Sequence, residues 1–147
     1  MREILFKAKR IDNGKWIEGC YAESKGNTFI GIDISIGIDV FEVFCTPIIR
    51  WIEIDPETIC QFTGFYDKNG NRIWDNDIVN TNSNLRAQIK FGLYSNSFST
   101  RKYNQGFYMD FMDNEYYRHE LGYWAGKSVV IGNIFDNKEL LQEKSDE

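Results

Sequence analysis

The chain has 147 residues, of which 42% are hydrophobic and 16% aromatic, and it carries a formal net charge of −5. This length suits one domain, and the apolar content excludes disorder for most of the chain. The negative net charge argues against a protein whose whole surface binds polyanions.

Runs of alternating apolar and polar side chains, with the period of a β-strand, begin at the start of the chain. Residues 4–8 predict a first strand, and the pair Asn13-Gly14 suits a tight hairpin turn before a second strand at residues 16–21. The longest alternation covers residues 30–40. It predicts one long strand, or two shorter strands separated by a turn or bulge at Gly37.

The middle of the chain contains clear turn signals. After a strand at residues 48–54, Asp55-Pro56-Glu57-Thr58 predicts one short helical turn capped by Asp55. Residues 62–66 and 72–74 predict a hairpin closed by Asp67-Lys68-Asn69-Gly70. A second turn at Asp75-Asn76-Asp77 precedes the next strand, which begins at Ile78.

The last third continues the pattern of short strands. We expect strands at residues 85–91, 107–111 and 129–131. Asp136 and Glu139 have capping spacing and predict a short C-terminal helix through Leu141. Many short strands with almost no helix indicate an all-β fold, either a small barrel or a sandwich built from hairpins.

The expected organisation is a single domain. It covers residues 1–141, with an N-terminal hairpin lobe at about residues 1–60 and a barrel lobe at about residues 61–135. Residues 142–147 form a charged tail.

Three stretches of the chain resemble the YopX family of phage and prophage proteins. They are the opening hairpin from Phe6 to Gly19, the block from Ile54 through Gly64 and Asn69-Gly70 to Val79, and Ile131-Gly132-Asn133-Ile134-Phe135 with Asn137 and Leu140-Leu141. The resemblance implies a β-rich, barrel-like fold and expression of a phage or prophage gene in a bacterial cytoplasm. The family has no established activity, so no catalytic residue is carried over.

Two positions depart from the family pattern. Cys60 stands where glycine is usual, which implies either an ordinary backbone angle or local strain. Asn76 also replaces a usual glycine, but Asn is the next best residue at positive φ, so we expect the turn to be preserved.

Little in the sequence indicates catalysis. Asp67, Asp75 and Asp77, with Glu57 upstream, are the carboxylates that would have to gather around a divalent cation in a metal-dependent phosphodiesterase, a remote alternative. The simpler interpretation is that Asp67, Asp75 and Asp77 bond amides in their own turns. The single histidine, His119, has no evident nucleophile beside it. We expect no enzyme activity, metal or cofactor.

The charge is unevenly distributed. Residues 78–109 contain no Asp or Glu and carry +4, so the rest of the chain carries −9. Aromatic residues lie between these cations, as in barrels that bind single-stranded nucleic acid, although Phe91 and Phe107 also fit core positions of strands. The candidate nucleic-acid-binding residues are Arg86, Lys90, Arg101, Lys102 and Tyr103.

A second aromatic cluster follows, with the composition of protein interfaces. Its residues are Tyr116, Tyr117, Arg118, Tyr123 and Trp124; a loop that packs its rings over the barrel is the alternative. We expect a non-enzymatic accessory protein that binds itself or a host or phage protein.

The three cysteines form no Cys-x-x-Cys pair, so we expect reduced thiols in a cytoplasm; they are Cys20, Cys45 and Cys60. Charged residues interrupt every apolar stretch, so we expect no membrane partner.

Overall fold

The computed structural model describes residues 3–34, 48–95, 103–112 and 118–141, which contain ten β-strands and several short helices. The strands are β1 (Phe6–Lys9), β2 (Trp16–Ser24), β3 (Asn27–Asp33), β4 (Ile49–Glu53), β5 (Cys60–Tyr66), β6 (Arg72–Trp74), β7 (Asp77–Thr81), β8 (Arg86–Tyr94), β9 (Asn104–Phe111) and β10 (Ser128–Asn133). The α-helix α1 is Leu121–Trp124, and the 3₁₀ helices are Pro56–Thr58, Ala125–Lys127 and Lys138–Leu141.

The chain divides into two compact units, Met1–Gln61 and Phe62–Glu147. This boundary lies beside the predicted border between the two lobes. The single domain that contains both lobes stays a prediction. The predicted charged tail, residues 142–147, lies outside the described residues.

The first unit is an antiparallel meander in which β2 pairs with β1 and β3, and β3 pairs with β4. Gly14 at φ +71° closes the predicted first hairpin. Alternation along β1 and β3 places Ala8 and Ile30 in the interior, where they and Ile54, directly after β4, are completely buried. The first two residues of β5, Cys60 and Gln61, pair with β1 in the same unit.

The second unit contains the hairpin of β5, from Phe62 onward, with β6, and a four-stranded antiparallel sheet in the order β10-β7-β8-β9. Its core is the larger one in the part of the chain that the structure describes. The core residues are Ile73, Val79, Ala87, Ile89, Met109, Phe111, Leu121, Trp124 and Ala125.

The sequence did not predict α1, which we expected to be part of an aromatic loop. The helix has four residues, and Gly122 and Tyr123 are poor helix formers, so periodicity could not reveal it. Leu121 and Trp124 are nevertheless core residues. Tertiary packing therefore stabilises a turn that local propensity disfavours.

The all-β prediction is confirmed, since the strands form two antiparallel sheets. No closed barrel is found among the strands that the structure describes, so the barrel stays a prediction. The predicted C-terminal helix is found as the 3₁₀ helix Lys138–Leu141. The strand expected over residues 30–40 is seen as far as Asp33; Gly37 lies outside the described residues.

The structure also resolves the two departures from the family pattern. Asn76 has a φ of +71°, so it occupies the left-handed region in place of glycine, as predicted. Cys60 is not among the described non-glycine residues with positive φ. Its backbone is therefore ordinary, and a side chain is tolerated there without strain.

Candidate functional site

The predicted basic segment is only partly described by the structure. Arg86 and Lys90 lie on the same face of β8, four positions apart. Arg86 Nη1 donates a hydrogen bond to the carbonyl oxygen of Leu140 at 2.8 Å. Lys90 Nζ lies 2.7 Å from Asp110 Oδ2, and this hydrogen bond raises the pKa of Lys90. Both cations are therefore already engaged within the chain.

The other three candidates of this segment lie between β8 and β9 in the sequence. Arg101 and Lys102 are outside the described residues, so whether they share a face with Lys90 stays a prediction. Tyr103 is described, and its side chain is 73% exposed. Its ring is therefore accessible to a stacking partner.

The described residues of the predicted aromatic interface lie partly in the core and partly at the surface. Trp124 is 8% exposed, contacts Phe111 edge-to-face with ring centroids 5.4 Å apart, and donates from Nε1 to the Arg118 carbonyl at 2.8 Å. Its ring is therefore part of the core and is not presented to a partner. Tyr116 and Tyr117 lie outside the described residues.

Tyr123 and Arg118 remain at the surface. The Tyr123 side chain is 39% exposed, and the Arg118 guanidinium carbon lies 4.5 Å from the ring centroid. Lys127 Nζ lies 4.0 Å from the same centroid. Lys127 was not among the predicted interface residues, because a lysine four positions from a tyrosine becomes a ring neighbour only on a helical turn.

The structure adds an apolar face that the sequence did not single out. On β8, Ala87, Ile89, Phe91 and Leu93 alternate on one side of the sheet, but only the first two are buried. Phe91 is 55% exposed and Leu93 is 67% exposed, and the Phe107 ring lies 5.0 Å from that of Phe91. The core position that we considered for Phe91 is therefore wrong, whereas Phe107 does pack against the core.

The carboxylates considered for metal chemistry have structural roles. Asp67 Oδ1 accepts from the backbone N–H groups of Asn69 and Asn71, both at 2.9 Å, and Asp67 Oδ2 accepts from Val130 N–H at 3.0 Å. Burial acts to raise the pKa of Asp67, but these hydrogen bonds outweigh it and leave the pKa lowered.

Asp77 is similarly committed, since its buried Oδ2 accepts from the Trp74 N–H at 2.8 Å. The intervening Asp75 differs, because burial raises its pKa against a weaker opposing hydrogen bond from Asn76. The turn interpretation is thus confirmed for Asp67 and Asp77. Among the described residues, which include Glu57, no group of three or more His, Cys, Asp or Glu side chains is arranged to hold a metal ion.

His119 is also engaged within the fold. Its Nδ1 lies 2.9 Å from the Met109 carbonyl oxygen, which can only accept, so Nδ1 carries the proton. The Met109 N–H donates in turn to the His119 carbonyl at 2.7 Å. These two hydrogen bonds connect the residues before α1 to β9.

No helix in the described parts of the chain is long and apolar enough to cross a membrane.

Comparisons with known proteins place the chain in one family. The family model of YopX, described as YopX protein, matches residues 6–142. That range includes nearly the whole chain and all three stretches that carry the sequence resemblance. No curated protein matches the chain.

Proposed function

The chain belongs to the YopX family, and from this premise we propose that it is a phage-type accessory protein that acts by binding, without catalysis. Its partner is either a second copy of the chain or another protein of the phage or of its bacterial host, in whose cytoplasm it works. The observation that carries this proposal is the apolar face of Phe91, Leu93 and Phe107 on the β8–β9 hairpin.

The apolar face contains two neighbouring exposed side chains and not a single one. Phe91 and Leu93 are adjacent on one side of β8 and continue the row of core residues beyond the point where α1 covers it. Their exposed apolar area is roughly 240 Å², taking about 200 Å² for each whole side chain. Covering it would contribute about 6 kcal/mol, which is near the lower end of the entropic cost of association. The face would therefore be the centre of a larger contact.

The same side of the hairpin has no charged residue among those that the structure describes. The residues of β9 opposite this row are Gln105, Phe107, Met109 and Phe111. An uncharged face can meet an identical face on a second copy without bringing like charges together, and it can equally meet an apolar surface of another protein.

The test is substitution of both exposed residues in the full chain. Phe91→Ser with Leu93→Ser should lower the mass of the protein in solution, measured by light scattering, or abolish retention of a partner on the tagged protein. The matched control is Ile4→Ser with Ile11→Ser, which removes two exposed apolar side chains from the first unit. A wild-type protein that is a monodisperse monomer and retains no partner would contradict the proposal.

Single-stranded nucleic acid is the second candidate partner, supported by the exposure of Tyr103 beside Arg101 and Lys102. It predicts weak binding to an oligonucleotide that falls with salt and is lost in Arg101→Glu with Lys102→Glu. The engagement of Arg86 and Lys90 leaves fewer cations for phosphates than the sequence suggested, which makes this the weaker proposal.

A further inference from the structure

Two cationic side chains, Arg118 and Lys127, both contact the ring of Tyr123, which is partly exposed. Arg118 Cζ lies 4.5 Å and Lys127 Nζ lies 4.0 Å from the Tyr123 centroid, so the two charges are at most 8.5 Å apart. We refer to Arg118, Glu120, Tyr123 and Lys127 as the Tyr123 cluster.

The cluster contains one carboxylate for two cations. Glu120 binds Arg118 through both carboxylate oxygens, at 3.1 and 2.7 Å. Lys127 Nζ donates to the Tyr123 carbonyl at 3.0 Å and has no carboxylate partner in the part of the chain that the structure describes. The ammonium retains two donors that this hydrogen bond does not use.

Two neighbours extend the surface around the Tyr123 cluster. The backbone N–H of Lys68 donates to the Ser128 carbonyl at 2.8 Å, so another exposed lysine, in the turn after β5, lies next to the residue that follows Lys127. The ring of Phe65, 39% exposed, packs against Gly122, next to Tyr123 in α1. Positive charge and aromatic surface therefore occur together in a chain whose net charge is −5.

We propose that the Tyr123 cluster recognises a carboxylate-bearing segment of a partner polypeptide. A Glu or Asp side chain of the partner would accept a hydrogen bond from Lys127, and its methylene groups would contact the rings of Tyr123 and Phe65. Lys127 is the cation of the cluster that would make this contact, because Glu120 already pairs with the Arg118 guanidinium. This proposal rests on the proposed protein-binding function, but it concerns a surface other than the apolar face.

The number of available cations favours a polypeptide over nucleic acid. Binding to single strands gains most of its affinity from several phosphate contacts at once. Here Arg118 is neutralised by Glu120, so Lys127 and Lys68 are the cations of this surface that lack a carboxylate within the described residues. Two positive charges beside two exposed aromatic rings are enough to bind one or two carboxylates of a protein partner.

The experiment measures binding of labelled peptides to the full-length protein by fluorescence anisotropy at low ionic strength. The probe is a twelve-residue peptide of alternating Glu and Leu; the comparison probes are the Gln-Leu peptide and a twelve-nucleotide oligothymidylate. We expect the Glu-Leu peptide to bind at least 10-fold more tightly than either. Equal binding of the Gln-Leu peptide, tighter binding of the oligonucleotide or no binding would overturn the proposal.

Variants assign the effect to the cluster. Lys127→Gln should weaken binding of the Glu-Leu peptide about 5- to 10-fold, whereas Lys127→Arg should retain it. The matched control, Lys15→Gln, removes an exposed lysine from the first unit and should change the affinity less than 2-fold. Equal losses in Lys127→Gln and Lys15→Gln would overturn the site assignment. Unchanged peptide binding in the Phe91→Ser, Leu93→Ser protein would show that the two surfaces are independent.

Discussion

The carboxylate of Asp67 and the backbone N–H of Val130 form a 3.0 Å hydrogen bond across 63 residues of sequence. The other oxygen of the same carboxylate closes the turn before β6 by accepting from Asn69 and Asn71. One buried side chain thus connects a local turn to β10, a strand near the C-terminal end of the fold.

Asp67→Asn should lower the free energy of unfolding by about 1–3 kcal/mol. The substitution replaces one accepting carboxylate oxygen by an NH₂ group and removes the negative charge from the oxygen that remains. Urea unfolding followed by circular dichroism measures this. Glu53→Gln, at an exposed carboxylate in β4, is the matched control and should change stability by less than about 0.5 kcal/mol.

The same contacts predict how stability depends on pH. Because the folded-state pKa of Asp67 is lowered, its contribution is present above the unfolded-state value of about 4 and is lost as pH falls through the folded-state pKa. Wild-type stability should therefore fall more steeply below about pH 4 than that of Asp67→Asn. Parallel pH profiles for the two proteins would contradict this role.

Gly132→Ala should destabilise the fold. A Cβ at this position would lie 2.6 Å from Asn137 Oδ1 and 2.9 Å from Asn137 Cβ, so Asn137 must move and weaken its 3.2 Å hydrogen bond from Asn133 N–H. We expect a loss of about 1–3 kcal/mol in thermal or urea unfolding.

The control for Gly132 is Gly126→Ala in the 3₁₀ helix, where a Cβ would meet no atom within 4 Å and φ is not positive. It should be neutral or slightly stabilising. A double-mutant cycle with Asn137→Ala should show a smaller combined loss than the sum of the single losses. Full additivity would mean that the two residues do not interact.

Asn76→Ala and Asn76→Gly should have opposite effects on stability. Asn76 is at φ +71°, where alanine is strained by about 1 kcal/mol and glycine is relaxed. We therefore expect Asn76→Gly to be neutral or stabilising in urea unfolding. Asn69→Ala, at an exposed turn position without positive φ, is the control, and a loss in it equal to that of Asn76→Ala would argue against backbone strain.

Trp124→Ala and Tyr123→Ala should separate the core from the surface of the predicted aromatic interface. Removing the buried Trp124 ring should cost about 3–5 kcal/mol of stability. Removing the partly exposed Tyr123 ring should cost about 1 kcal/mol or less, through lost contacts with Arg118 and Lys127. Similar losses in calorimetric unfolding would show that both rings are core residues.

Much of the fold could be predicted from short-range patterns. The Asp55 cap forms as expected, with its Oδ1 accepting from Glu57 N–H at 3.1 Å, and Gly14 and Gly70 occupy their turn positions at positive φ. These features depend on residues within a few positions of each other, so local sequence determines them. The four-residue helix α1 was missed because its stability comes from Leu121 and Trp124 in the core.

The candidate surfaces were less predictable. Phe91 and Ile89 are equivalent in the alternation of β8, yet Ile89 is fully buried and Phe91 is exposed. Likewise, Tyr123 and Trp124 are adjacent aromatic residues of one cluster, yet only Trp124 packs in the core. Periodicity identifies the face of a strand but not how far along that face another element covers it.

The sequence by itself determined the strand-rich class, the hairpin turns, the family and the exchange of glycine for asparagine at residue 76, because each depends on backbone preferences of neighbouring residues. Tertiary structure alone decided which carboxylates are buried in hydrogen bonds, which cations have partners and which aromatic rings face solvent. Those properties depend on contacts between residues far apart in the chain, as between Asp67 and Val130.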